Sequence, residues 1–259
     1  MISTTTIFVV WCVKIVWISA GISSFMSGVL AKDVDKWIYI DVADQHPDSM
    51  RFIKDCESNL GISIEILKSE KYKDVADVCR KHHMINSPHG AACTGMLKKA
   101  VRKKWENEQY SKGITDLTYV WGYDIEEKNR AKRIVENFPE FQHEFPLIEK
   151  GLHKQEVHAL FYKMFDFPRP KMYDLGYSNN NCVGCIKGGK GYWNKIRIDF
   201  PDVFKARAEL EREIGHSCIN GVFLDELSED AGRMEQEIMT DCDIICHITY
   251  NELENYGKQ

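Results

Sequence analysis

The feature that most limits how this chain can fold is an alternation, sustained over its first half, of short apolar runs with helix-length segments. Lys14–Ile18, Trp37–Ile40, Ile62–Leu67 and Leu117–Trp121 read as strands. Helical patterns end near Ala31, run from Pro47 to Leu60 where Gly61 stops them, and cover Lys73–His82, Met96–Glu108 and Glu126–Asn137. Strands alternating with helices in this way build βαβ units, and these stack into a parallel sheet. Such sheets take their ligands in the crevice beyond the carboxyl ends of the strands. Two segments of interest, 19–24 and 41–48, begin where a predicted strand stops.

The texture changes near residue 150. Lys154–Phe165 reads as a helix, Phe167–Gly191 as an irregular stretch rich in Pro, Asn and Gly, and Pro201–Ile214 as an amphipathic helix with Pro201 in its first turn. The expected organisation is an extension at 1–12, a nucleotide-binding α/β domain at 13–150 and a smaller, mostly helical, cysteine-containing unit at 151–259. The apolar run near the N-terminus is split by Lys14, and neither half is long enough to span a bilayer. It is read as the first buried strand rather than as a signal peptide, whose small-residue cleavage site Ser19, Ala20 and Gly21 would imitate. A net charge of −5 gives no global attraction to nucleic acid or anionic membrane. Nine cysteines, an odd number in a chain of 259 residues, fit metal or thiol chemistry in a reducing, cytoplasmic compartment better than a secreted disulfide scaffold.

Ser19-Ala20-Gly21-Ile22-Ser23-Ser24 joins the first strand to a helix. Small residues there let backbone N–H groups approach an anion, the helix N-terminus adds partial positive charge, and the serines add hydroxyl donors. The same composition also serves any tight strand-to-helix turn. Further segments follow in order: Asp41-Val42-Ala43-Asp44-Gln45-His46-Pro47-Asp48, then Pro88 to Lys98 around Cys93, then Gly122 to Arg130, then Asn180-Asn181-Cys182-Val183-Gly184-Cys185.

In order and spacing these pieces resemble the phosphoadenosine phosphosulfate (PAPS) reductase-like proteins of the adenine nucleotide alpha-hydrolase, or PP-loop, superfamily, over roughly residues 14–250. The resemblance implies a Rossmann-like parallel sheet. It implies a loop, Ser19, Ala20, Gly21, Ser23 and Ser24, that contacts phosphate or sulfate oxygens, with Asp41, His46 and Lys98 near the nucleotide. The chain departs from the usual Ser-Gly-Gly-x-Asp-Ser loop at Ala20 and at Ser23. The Asp missing at Ser23 goes with the branch that cleaves ATP with Mg²⁺, so its loss leans toward a sulfonucleotide already activated (PAPS or adenylyl sulfate, APS).

Cys182 and Cys185 have the spacing with which two thiolates reach one metal, and Cys242 and Cys246 supply a second pair; free thiols in a loop are the plain alternative. By resemblance to adenylylsulfate reductases, Cys93, Cys182, Cys185 and Cys246 are the expected ligands of a [4Fe–4S] cluster, with zinc as the alternative and Cys242 or Cys218 as substitute ligands. Asp241-Cys242 loosely resembles the family's C-terminal nucleophile segment, which makes Cys242 the candidate catalytic thiolate and implies a thiol reductant protein as partner. Cys56 and Cys79 fall within helices as packing residues. Lys98, Lys99, Arg102, Lys103 and Lys104 crowd one helix, and Lys187, Lys190, Lys195 and Arg197 crowd the stretch after Cys185; both read as solvated faces, phosphate clamps or strips for a nucleic-acid backbone. Tyr192 and Trp193 fit a buried core better than base stacking. Three functions stay open: reduction of a sulfonucleotide by thiols, ATP-dependent and cluster-dependent sulfur transfer to a nucleic acid, and nucleotide binding without turnover.

Overall fold

The computed structural model describes residues 12–86 and 91–234. The strands are β1 (Cys12–Ile18), β2 (Lys36–Asp41), β3 (Ile64–Lys68), β4 (Asp116–Val120) and β5 (Gln142–Glu144). The helices of the first half are α1 (Ile22–Leu30), α2 (Asp48–Leu60), α3 (Val75–His82), α4 (Ala92–Thr94), α5 (Ala100–Ser111), α6 (Lys128–Asn137) and α7 (Pro146–Glu149). Those of the second half are α8 (Lys154–Met164), α9 (Lys171–Asp174), α10 (Lys190–Asp199) and α11 (Pro201–Ile214).

All five strands pair in parallel, in the order β3-β2-β1-β4-β5. The central strand is buried on both faces, and its side chains alternate between two cores. Val16 and Ile18 join Trp37, Tyr39, Phe25, Phe52 and Phe161 on the face covered by α1, α2 and α8. Ile15 and Trp17 join Ile38, Ile40, Trp105 and Tyr119 on the face covered by α5 and α6. Period-two alternation of wholly apolar strands is what a parallel sheet covered on both sides requires.

The strand order places β2 and β3 on one side of β1, then returns the chain past β1 to set β4 on the other side. The connections after β1 and after β4 therefore diverge, leaving a crevice between them at the carboxyl edge. Gly21 and Gly122 both lie there. A Cβ on Gly122 would fall 2.5 Å from Ser24 Cα and 2.6 Å from Ser24 N, so the two connections touch through backbone alone. Ser27 Oγ locks the contact by donating to the Trp121 carbonyl at 2.6 Å.

A third core begins where β2 ends. Val42 packs with α3, with residues 91–97 and with side chains from Met172 to Leu227, including Tyr192 and Trp193. The last two are 2% and 0% exposed and so fill the core, as expected. α10 begins inside the stretch to Gly191 that was expected to be irregular, and α10, the short β5 and α7 have no counterpart in the expected elements. The basic helix divides by phase. Lys99 and Arg102 are buried, Arg102 pairs with Glu106, and Lys104 reaches out to Glu70 at 2.8 Å. Those five cations therefore make neither a solvated face nor a continuous strip. Among the described residues no helix is long and apolar enough to cross a membrane.

Candidate functional site

The loop after β1 is built by its own serines. Ser24 Oγ donates to the Gly21 carbonyl at 3.0 Å and accepts the Ser19 N–H at 3.0 Å, with Ser19 Oγ also 3.0 Å away. Ala20 sits at φ 55°, a left-handed conformation in which a Cβ is strained. That geometry is why Gly suits this position in loops of this shape; here the buried alanine methyl occupies core space instead. Ser19 is exposed, Ser23 half-buried and Ser24 buried. The loop thus presents Ser19 and Ser23 at the N-terminus of α1, where an anion is favoured.

The expected segments converge on this loop. Asn180 Nδ2 donates to the Ala20 carbonyl at 2.7 Å and to Ser49 Oγ at 3.0 Å. One buried amide thereby ties the loop, the start of α2 and the approach to Cys182 together. Gln45 pairs with Cys182 in an antiparallel bridge, and the Val183 N–H donates to the Asp44 carbonyl at 2.8 Å. Asp44 is in turn held by the Val75 N–H at 2.8 Å and by a buried ion pair with Arg207, whose Nε donates to the Gly184 carbonyl at 3.2 Å.

Asp41 ends β2, and Tyr39 two residues earlier donates to Gln45 Oε1. Burial pushes the Tyr39 phenol well above its ordinary range; the charges of Asp41 and Cys182 add to this, and Lys98 opposes it. Val42 after Asp41, Met96 and Leu97 before Lys98, and Cys182 pack in one core, which brings these three segments together. Lys98 lies in a π-helical turn, Gly95–Lys99, between α4 and α5, a distortion often found at functional sites. His46 Nδ1 accepts the Asp48 N–H at 3.1 Å, which leaves its proton on Nε2, and burial holds its pKa below the usual value. At neutral pH it is an uncharged donor rather than a cation.

Two residues missed in the sequence complete the rim. The Tyr173 hydroxyl accepts the Ile22 N–H at 3.3 Å, at the first turn of α1. Its segment is clamped to α2: Asp48 accepts from Lys171 N at 2.8 Å, and Arg51 donates to the Pro168 and Arg169 carbonyls at 2.7 and 3.0 Å. Hydrogen bonding to Arg51 holds the Asp48 carboxyl below the ordinary carboxylate range. Nothing local in the sequence marks Tyr173 or Arg207, because each meets its partner more than 150 residues away.

Cys93, Cys182 and Cys185 are buried in the same core, at 9%, 7% and 6% exposure. The Cys185 N–H donates to the Tyr192 hydroxyl at 2.9 Å, and that hydroxyl reaches the Cys182 carbonyl at 3.3 Å. Among the described residues no three Cys, His, Asp or Glu side chains converge as metal ligands. Cys242 and Cys246 lie outside the described residues, as does His89.

The remaining thiols differ in reactivity. Burial raises Cys56 and Cys218 well above the ordinary thiol value and Cys79 to about 11, whereas Cys12 is exposed. Native-state alkylation at pH 8 followed by peptide mapping is expected to label Cys12 readily and to leave Cys56, Cys79 and Cys218 unmodified until denaturant is added. Labelling of Cys56 at the rate of Cys12 would contradict this packing.

A five-stranded parallel sheet flanked by helices, with a small-residue, serine-bearing loop at its switch point, defines the class of the molecule: a doubly wound α/β protein. No protein-family profile matches the chain. It is similar to an uncharacterized protein of Methanocaldococcus jannaschii, 24% identical over 191 residues, which is 71% of this chain and 37% of that protein. The match thus spans little more than a third of that relative's length. Among solved structures it is similar to phosphoadenylyl-sulfate (PAPS) reductase from Candida auris in its phosphate complex, at 15% identity and a TM-score of 0.45, covering 66% of this chain and 80% of that one.

Proposed function

We propose that this chain binds an adenine nucleotide with its phosphate or sulfate oxygens on the loop Ser19–Ser24, and that it reduces a bound sulfonucleotide by thiol chemistry. The observation that supports the reading is the convergence of four separate segments at one crevice: the loop, Asp41 to Ser49, the turn carrying Lys98, and Asn180 to Cys185. A packing accident would not gather the segments that the sequence resemblance singles out. In the reaction a cysteine thiolate attacks the sulfate sulfur and breaks its bond to the phosphate oxygen, leaving the nucleotide phosphate and an S-sulfonated cysteine. A second thiol then displaces sulfite and closes a disulfide, which an external dithiol protein reduces. Cys242 is the proposed nucleophile. Burial of Lys99 and Arg102 removes the main support for a nucleic-acid substrate.

Calorimetric titration with PAPS, APS, ATP and AMP is expected to show binding of at least one. Ser19→Asp, which puts a carboxylate at the exposed tip of the loop, is expected to weaken it tenfold or more. With PAPS or APS and a dithiol, sulfite is expected to appear, and Cys242→Ser is expected to stop its release while leaving nucleotide binding intact. Binding that ignores Ser19→Asp would remove the loop from the site. Tight binding with no sulfite, unchanged in Cys242→Ser, would leave a binding module without turnover.

A further inference from the structure

A cavity of about 710 Å³ opens beside the loop, on the far side of Tyr173. Its walls include Glu126, His153, Lys154, His158, Arg169 and Tyr173. Two polar groups there have unmet hydrogen-bonding capacity. His158 Nε2 is buried without a partner among the described residues. The Tyr173 hydroxyl oxygen accepts the Ile22 N–H at 3.3 Å, and among the described residues no acceptor takes its proton. The His158 and Tyr173 rings meet edge-on with centroids 4.8 Å apart, so these groups are neighbours. A buried polar group left unpaired costs about 1–3 kcal/mol, and two adjacent ones on a cavity wall point to a ligand that satisfies both.

The charges around them select the ligand. Arg169 pairs with Asp174 at 2.7 Å, and Glu126 lies 3.1 Å from His153 Nδ1, an ion pair only when that imidazole is protonated. Lys154 donates to Asn179 Oδ1 at 2.7 Å, a neutral acceptor, and has no carboxylate within ion-pair distance among the described residues. We propose that this cavity is a second oxyanion site, taking a phosphate-class group on Lys154, with His158 Nε2–H and the Tyr173 hydroxyl as donors. Tyr173 then stands between two anion sites: its oxygen caps the first turn of α1 and its proton serves the cavity. The proposal does not depend on the nucleotide reading.

The test is a titration with inorganic phosphate, followed at the His158 Cε1–H resonance of the wild-type protein, with sulfate as a competitor. Burial, with Arg169 and Lys154 adding, holds the His158 pKa down to about 4, so the imidazole is neutral throughout a titration at pH 7. The resonance is expected to shift saturably. Lys154→Ala is expected to weaken the phosphate affinity tenfold or more, and Tyr173→Phe several-fold. Ser19→Asp is expected to leave this shift in place. An unchanged resonance at saturating phosphate, or a shift that ignores Lys154→Ala, would mean that water fills the cavity and would overturn the proposal. Nucleotide binding that ignores Ser19→Asp, with the His158 shift retained, would count against the loop reading alone.

Discussion

Gly122→Ala is expected to lower the unfolding free energy by about 1–3 kcal/mol and to weaken nucleotide binding tenfold or more. The added methyl would meet backbone, not a flexible side-chain tip: Ser24 Cα at 2.5 Å and Ser24 N at 2.6 Å. The start of α1 must therefore move away from β4. That movement lengthens the Ser27–Trp121 hydrogen bond and tilts the amides that face the crevice. A control separates this from a generic glycine effect. Gly61 caps α2 at φ 62° with nothing within 4 Å of a built Cβ. Gly61→Ala is expected to cost about 1 kcal/mol through backbone strain and to leave affinity unchanged. Urea melts with parallel titrations check both. If Gly122→Ala binds as tightly as wild type, the contact between the two connections does not shape the site.

The second large effect is expected from Arg102→Ala, at about 3–5 kcal/mol of stability at pH 7. Arg102 is 1% exposed and pairs with Glu106, which is 5% exposed and also accepts from the Tyr119 hydroxyl. Removing the guanidinium leaves a buried carboxylate with one neutral partner. Burial already raises the Glu106 pKa, and Arg102 is the largest influence opposing it. Without Arg102 the folded pKa rises further above the unfolded one. The deficit is therefore largest above the raised folded pKa, and it shrinks as pH falls through that value toward the ordinary carboxylate range. Arg102→Met combined with Glu106→Leu is expected to recover most of the loss, because an apolar pair leaves no orphaned charge. Denaturant melts from pH 7 to 4 check the sign; a single variant that loses under 1 kcal/mol at pH 7 would show that the pair is solvated.

The strands β1, β2 and β4 were legible as short apolar runs and β3 as an apolar–polar alternation, each bounded by turn residues. Gly61 marked the end of α2 and Pro201 the start of α11 for local reasons that the structure preserves. β5 escaped notice because Gln142, His143 and Glu144 carry no apolar pattern; the strand exists through backbone pairing with β4. α10 escaped because Gly188, Gly189 and Gly191 read as loop. Gly191 is required there for space, since a Cβ would lie 1.5 Å from the Arg233 carbonyl oxygen. In the site, the loop and the segments around His46 and Cys182 could be placed from their order along the chain. The side chains that fasten them could not: Asn180, Tyr173 and Arg207 act through contacts with no sequence periodicity. The basic helix misled for a related reason. A count of five cations ignores helix phase, and phase turns Arg102 inward while Lys104 faces solvent.

The Asn180 bond to the Ala20 carbonyl has a bearing on synthesis. All five strands have been synthesised by residue 144, yet the amide that anchors the first loop comes 36 residues later, and the Asp44–Arg207 pair later still. A nascent chain can thus complete its sheet while the crevice stands unfastened. On the proposed reading, ligand competence waits until Asn180 and Arg207 have been made, and a chain cut short after β5 is expected to keep the scaffold but lack the grip.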